Sequence, residues 1–181
     1  MEDISKSTID NLVEQAKVSK EKFVELYRLF LPKIFSYVSW RIGSRTDAED
    51  IVSEVFIRVV KNLSSYTSRP GATFQSWLYQ ITKHAIADHY RRGKSQEIIM
   101  EELPETIIAP ALEEEIDRKK LFTEIFEALK NLPEREAEVI RLKLSMGLSN
   151  KEIAETMRLK EKSVSSSVAK GFKKLRHSIK Q

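Results

Sequence analysis

The chain of 181 residues contains no cysteine, which excludes a disulfide framework and a thiolate metal site. Glycine and proline are scarce, at five residues each. So few chain breakers among abundant Lys, Glu, Leu and Ile argue for an all-α fold. No apolar run approaches the roughly 18 residues that a membrane-spanning helix requires. The first ten residues are polar and acidic, unlike a secretory leader, so a cytoplasmic protein is expected. The three histidines, His84, His89 and His177, stand in no context that supplies triad partners. No metal-ligand cluster and no glycine-rich phosphate loop occur either. An enzyme, a bound metal, a cofactor and a small-molecule substrate are therefore not expected.

Charge is present but unevenly placed. The net charge is +4. Residues 1–92 carry a net +3, residues 93–117 a net −7, and residues 118–181 a net +8. Arg158–Gln181 alone holds eight basic residues against Glu161. A basic end behind an acidic middle suits a polyanionic partner, although a solvated lysine-rich helix gives the same count.

Hydrophobic periodicity places the helices. Ile9, Leu12, Val13 and Ala16 form a short amphipathic stripe. A second runs from Phe23 through Leu26, Tyr27, Phe30, Ile34, Phe35 and Val38, with a kink or break expected at Pro32. Thr46 and Glu49 have capping-box spacing, and the stripe Ile51, Val52, Val55, Phe56, Val59 and Val60 follows. Residues 64–73 contain Pro70-Gly71 and read as a loop. A helix from about Phe74 to Arg92 comes next. Residues 93–112 are acidic, contain Pro104 and Pro110 and lack sustained periodicity, so they read as a flexible acidic linker. Helices are then expected over about 113–129 and, after Pro133 in a first turn, to about Ser145. The chain divides into two small helical domains, residues 1–92 and 113–181. Including the residues up to Asp117, the tether could extend over roughly 80–90 Å.

The C-terminal segment has helix-turn-helix anatomy. Ser149 and Glu152 have capping-box spacing ahead of Ile153, Ala154 and Met157. Arg158-Leu159-Lys160 is turn-length, and a basic helix follows. "SVSSSVAKGFKKLR" (Ser163–Arg176) resembles a linker in composition. Val164 and Val168, four residues apart and in phase with Phe172 and Leu175, instead make it a helix. Ser163, Ser166, Ser167 and Lys170 then lie on or beside the face opposite the core. Short hydroxyls can approach bases and phosphates closely, and Lys170, Lys173, Lys174 and Arg176 can supply charge to a phosphate backbone. A surface helix that merely tolerates serine is the alternative.

Within "ATFQSWLYQITKHAIADHYRR" (Ala72–Arg92), aromatic residues stand beside Lys83, Arg91 and Arg92. Aromatics on a basic surface stack on unpaired bases. Phe74, Trp77 and Tyr79 serve equally well as core residues, and periodicity leaves both roles open.

These segments, with "DAEDIVSEVFIRV" (Asp47–Val59) and "LKNLPEREAEVIRLKLSMGLSNKEIAETM", resemble bacterial sigma factors. The likeness is to the small extracytoplasmic-function type, which keeps only regions 2 and 4 and a linker. It covers about Ser7–Arg92 and Leu112–Lys180. It implies a dissociable subunit that brings core RNA polymerase to promoters and aids duplex opening. Asp47, Asp50, Ile51, Glu54 and Arg58 would dock on the clamp of the largest polymerase subunit, with region 4 near the flap. Tyr66, Arg69, Phe74, Trp77, Lys83, His84, Arg91 and Arg92 would bind the single-stranded minus-10 element. A flipped base would sit near residues 64–73. Lys162, Ser163, Ser165, Ser166, Ser167, Lys170, Lys173 and Lys174 would face the double-stranded minus-35 element. An anti-sigma factor is a further implied partner. The chain departs from the family pattern at His84, Ser53, Arg158, Ser165, Ser167 and Phe172. The competing reading is a stand-alone helix-turn-helix regulator with an N-terminal helical sensing domain.

Overall fold

The computed structural model describes residues 6–69, 73–92 and 112–179, and every regular element among them is a helix. The proposed acidic linker, residues 93–112, falls outside them except for Leu112. Helix α1 (Lys6–Ala16), α2 (Lys20–Ile42), α3 (Arg45–Asn62) and α4 (Phe74–Arg91) form a first bundle. Helix α5 (Leu112–Lys130), α6 (Glu134–Arg141), α7 (Asn150–Met157) and α8 (Glu161–Ile179) form the second half.

Local chemistry sets most boundaries. Ser19 caps α2 by accepting from the Lys22 N–H at 3.2 Å, and Gly43 ends it in the left-handed region at φ 79°. Helix α2 runs unbroken through Pro32, so of the kink or break expected there the break does not occur. Proline removes the bond to the carbonyl of Arg28 and crowds it, and both Pro32 and Arg28 are exposed, on the side away from the core. The cap of α3 is Ser44, which accepts from the Asp47 N–H at 3.3 Å, rather than Thr46. At α7 the expected capping box is complete: Ser149 accepts from the Glu152 N–H, and Glu152 accepts from the Ser149 N–H at 2.8 Å. Pro133 immediately precedes α6 instead of lying in its first turn.

Helix α6 continues as a wider π turn, Leu142–Met146, closed by Gly147 at φ 69°. Ser145 donates to the Arg141 carbonyl at 2.6 Å there. The widened turn directs Leu142, Met146 and Leu148 into the first bundle's core, where they join Phe30, Ile34, Val55 and Leu78. Burial of each such side chain contributes about 1.5–3 kcal/mol. A second cluster gathers Trp40 of α2 with Phe126, Leu129, Ile140 and Leu175, and Trp40 stacks on Phe122 at 5.3 Å. The two halves thus pack directly on each other rather than standing apart on a tether.

Polar bonds fix the register of this contact. Glu138 of α6 accepts from the Tyr37 hydroxyl at 2.6 Å and the Tyr79 hydroxyl at 2.8 Å. Arg141, on its own helix, donates to it at 3.2 Å. Arg41 of α2 lies 3.6 Å from Glu138 and also pairs with Glu134. Burial, and then the Glu138 charge, push the ionisation of both tyrosines above the ordinary tyrosine range.

Two close approaches are sequence-specific. Gly171 lies where α8 crosses α6; a Cβ there would stand 2.6 Å from the Ile140 side chain. Arg158 ends α7 at φ 56°, ψ 48°, a left-handed conformation that costs a non-glycine residue about 1–2 kcal/mol.

Gly171→Ala is expected to lower stability by about 1–3 kcal/mol through overpacking. Arg158→Gly is expected to raise it by up to about 1 kcal/mol, since relief of strain exceeds the added freedom of the unfolded chain. Urea unfolding followed by circular dichroism measures both. A pH titration supplies a second check. Because the folded values of Tyr37 and Tyr79 are raised, the stability they carry is full below about pH 10. It is lost as pH rises through the folded values. Tyrosinate absorbance should show a late phase that Tyr37→Phe/Tyr79→Phe largely removes.

Candidate nucleic-acid and polymerase interface

Three surfaces carry the residues singled out in the sequence. The first is the outer side of α2 and α3. Phe23, Tyr27, Val52, Ser53, Phe56, Ile57, Val60 and Lys61 line an apolar groove of roughly 410 Å³. Ile57 is 49% exposed and Val60 58%, which is high for side chains with no polar atom. Asp50 is exposed beside them, whereas Ile51 is buried in the core. Arg58 is held inward: it donates to Glu54 at 2.8 Å and pairs with Asp88 of α4 at 2.8 Å. The hydrogen bond from Arg58 holds the Asp88 carboxyl below its usual range, and Arg91 pairs with the same carboxylate. Asp47 lies 3.6 Å from the buried His89 imidazole. Of the five sequence candidates, Asp50 is thus the outward-facing one, and Arg58, held by Glu54 on its own helix, ties α3 to α4. Ile57 and Val60 were missed as surface residues. The signal was available for Ile57, which falls outside the phase of Ile51, Val52, Val55, Phe56 and Val59.

The second surface is α4 with the segment before it. Thr73 caps α4 by accepting from the Ser76 N–H at 3.3 Å. Tyr66, Phe74 and Trp77 form an aromatic cluster with ring centroids 5.0, 5.4 and 5.5 Å apart. Phe74 and Tyr66 are buried and Trp77 is half-buried, so Trp77 is the member with an open side. Lys83 and His84 are exposed at consecutive positions, followed by Tyr90, Arg91 and Arg92. Arg69 is exposed on the adjoining loop. Gln80 and Tyr90 share the stripe and were not among the sequence candidates.

The third surface is α8. Val164 is fully buried against Ile153 and Ala154, with Leu159 and Val168 packed beside them. That orientation exposes Lys162, Ser163, Ser165, Ser166, Lys170, Lys173 and Lys174 and leaves Ser167 half-buried. The Ser165 hydroxyl accepts from Asn150 Nδ2 at 3.1 Å, tying the start of α7 to α8. Lys174 lies 3.6 Å from Glu136. The Leu159 N–H donates to the Ala154 carbonyl at 2.8 Å, closing the turn between the helices. The sequence placed this stretch on a helix with valines inward and serines outward, and the structure does the same. Among the described residues no group of three or more His, Asp or Glu side chains is arranged to hold a metal ion. No described helix is long and apolar enough to cross a membrane.

The sequence matches the family model for sigma-70 region 2 over residues 26–96 and that for sigma-70 region 4 over residues 122–175. The chain belongs to the sigma-70 family, within its extracytoplasmic-function type. Its relatives include the extracytoplasmic-function sigma factor BldN of Streptomyces coelicolor, 27% identical over 151 residues. That alignment covers 82% of this chain and 56% of BldN. The sigma factor SigZ of Bacillus subtilis is 29% identical, with 84% of each chain covered. SigE of Mycolicibacterium smegmatis is 32% identical, with 84% of this chain and 59% of SigE covered. Thus the chain spans little more than half of two of these relatives and most of the third. In fold it is similar to the sigma factor RpoE of Bartonella quintana, solved with the anti-sigma factor NepR. The TM-score is 0.64 at 20% identity, covering 88% of this chain and 98% of that one.

Proposed function

We propose that the chain is a promoter-specificity subunit of RNA polymerase. It binds the core enzyme, carries it to promoters and aids duplex opening. Residues 1–92 act as region 2, residues 93–112 as the linker and residues 113–181 as region 4. The observation that carries this reading is the order of three surfaces on one chain: an apolar docking groove, a face mixing aromatic and basic side chains, and a helix-turn-helix. A stand-alone regulator needs the third but leaves the first two without a use. The work is binding and strand separation rather than covalent chemistry, and its place is the cytoplasm, with the polymerase. An anti-sigma factor, such as the one bound to the solved Bartonella relative, is a further partner in this reading.

Each surface has a separable task. The groove around Ile57 and Val60 receives an apolar ridge of the largest-subunit clamp, with Asp50 offering charge at its edge. Trp77 offers its open side to an unpaired minus-10 base, and Lys83 and His84 follow the strand. Arg69, Arg91 and Arg92 neutralise phosphates around that site. In region 4, Lys162, Lys170, Lys173 and Lys174 set the helix on the minus-35 phosphates, and Ser163, Ser166 and Ser167 approach base edges.

The direct test adds the chain to core polymerase and a promoter library and sequences the transcript starts. Protein-dependent starts at a common sequence are expected; DNA binding with no polymerase association would refute the proposal. Ile57→Asp is expected to weaken core binding about tenfold or more, as a charge in a desolvated contact does. Its helical circular dichroism should be unchanged, because the residue is half exposed. Lys173→Ala is expected to lower the salt slope of minus-35 binding by about 0.9 with little change in base preference. Binding titrations at several salt concentrations measure it.

A further inference from the structure

The segment between α3 and α4 is held from the first helix. Asp10, Glu14 and Lys17 are spaced four and three residues apart, a polar stripe beside the buried Ile9, Val13 and Ala16 of α1. Lys17 Nζ donates to both carboxylate oxygens of Glu14, at 2.7 and 2.8 Å, and to the Tyr66 carbonyl at 2.7 Å. That employs all three ammonium donors. The Ser68 hydroxyl donates to Asp10 Oδ2 at 3.3 Å. The Tyr66 hydroxyl meets the same residues: burial raises its ionisation, Ser68 lowers it, and the charges of Asp10 and Glu14 raise it further.

These bonds differ from a solvated surface pair. The Lys17 side chain is 17% exposed, and Asp10 Oδ1 is shut off from water. An ion pair in full solvent contributes little, whereas a charged donor on a part-buried carbonyl is among the stronger bonds. Tyr66–Arg69 follow the short helical turn at Leu63–Ser65 and are not helical. Outside a helix, the Tyr66 carbonyl needs a partner from elsewhere, and Lys17 supplies it. Exposure alternates along the segment: Tyr66 is buried, Thr67 exposed, Ser68 half-buried and Arg69 exposed. A period of two is that of an extended strand gripped on one side. The gripped side carries Tyr66, whose ring lies 5.0 Å from Trp77. The other side presents Thr67 and Arg69.

We infer that Lys17 and Asp10 are positioning residues for base selection in the minus-10 strand. They fix the register of Tyr66–Arg69, and so decide that Thr67 and Arg69 are turned outward where the segment passes the Trp77 ring. The inference rests on the promoter-specificity reading. It gives a part to α1 and Lys17, which precede residue 26, where the match to region 2 begins. A slip of one residue would exchange the two sides and present Ser68 in place of Thr67 and Arg69. Stacking on an aromatic ring accepts every base, so discrimination needs a polar group held beside the ring. Thr67 offers that group as a hydroxyl, and Arg69 neutralises the adjoining phosphate. Neither side chain can hold one place relative to Trp77 unless the backbone between them is held first.

The test reads base preference, which a merely structural role leaves alone. The chain, by itself and with core polymerase, is mixed with randomised single-stranded DNA, and the bound fraction is sequenced. The unmodified chain is expected to prefer one base at one position or more. Lys17→Met keeps the aliphatic stem and removes the ammonium. It should lower that preference about tenfold, the change that loss of one charge-assisted hydrogen bond brings. Lys17→Arg, which keeps charge and donors, should retain most of it. Asp10→Ala and Ser68→Ala should each weaken the preference, and together no more than either alone, because they remove two ends of one bond. Circular dichroism melts establish that each variant is folded. No preference in the unmodified chain, an unchanged preference in Lys17→Met and Asp10→Ala, or an equal loss of binding for all four bases would overturn the inference. A preference that these variants abolish in a chain that never directs initiation with core polymerase would uphold the positioning role and refute the promoter reading. A preference that they leave intact in a chain that does direct initiation would do the reverse.

Discussion

Glu138 is the constraint on which the packing of the whole chain turns. A carboxylate taken almost out of water must be matched, since an unmatched buried charge costs several kcal/mol. The match here is drawn from three helices: Tyr37 and Arg41 from α2, Tyr79 from α4 and Arg141 from α6. Satisfying it fixes α6 against the first bundle. The π turn after α6 then delivers Leu142 and Met146 to the apolar core. Dispersion and burial supply most of the stabilisation, but they do not choose one register over its neighbours. The four-partner carboxylate does.

A second shared carboxylate plays a smaller version of this part within the first bundle. Asp88 of α4 accepts from Arg58 of α3 and pairs with Arg91 on its own helix. The groove on α2 and α3 and the aromatic-basic face of α4 are thus joined through this carboxylate. Caps at Ser44 and Thr73 begin both helices at defined residues, so Asp50 and Trp77 are positioned by helices rather than by loops.

What the sequence made legible was local. The 3.6-residue period placed the helices, Ser149 with Glu152 gave the start of α7, and Val164 with Val168 oriented α8. The family pattern, from which Arg158 departs, also marked it as an odd turn residue, and it is the one described non-glycine residue at positive φ. What escaped was non-local or solvent-dependent. Glu138 reads as an ordinary helix-surface glutamate, because Tyr37 lies 101 residues away and Tyr79 lies 59 away. Val60 continues the apolar stripe of α3 in sequence, yet its face has nothing packed over it. Pro32 promised a kink or a break, but a proline on an exposed side forfeits one hydrogen bond without ending the helix. Thr46 and Ser44 both offer a hydroxyl, and spacing to Glu49 favoured the wrong one. Trp77 stayed ambiguous for a physical reason: it lies at the edge of its aromatic cluster and is half in the core and half out.

The serine-faced helix gains a definite meaning from these contacts. Asn150 engages Ser165, so one candidate DNA-facing hydroxyl already ties α7 to α8. The exposed set is then led by Ser163 and Ser166, with Lys162, Lys170 and Lys173 around them. Long cations position a helix on phosphates, and discrimination falls to the groups that reach base edges. Hydroxyls donate and accept equally well, so they distinguish base pairs less sharply than a bidentate arginine or asparagine does. In the proposed function, region 4 built this way would hold its element mainly by charge. Under the proposed function, more of the sequence choice would fall to the α4 face, where Trp77, Lys83 and His84 stand.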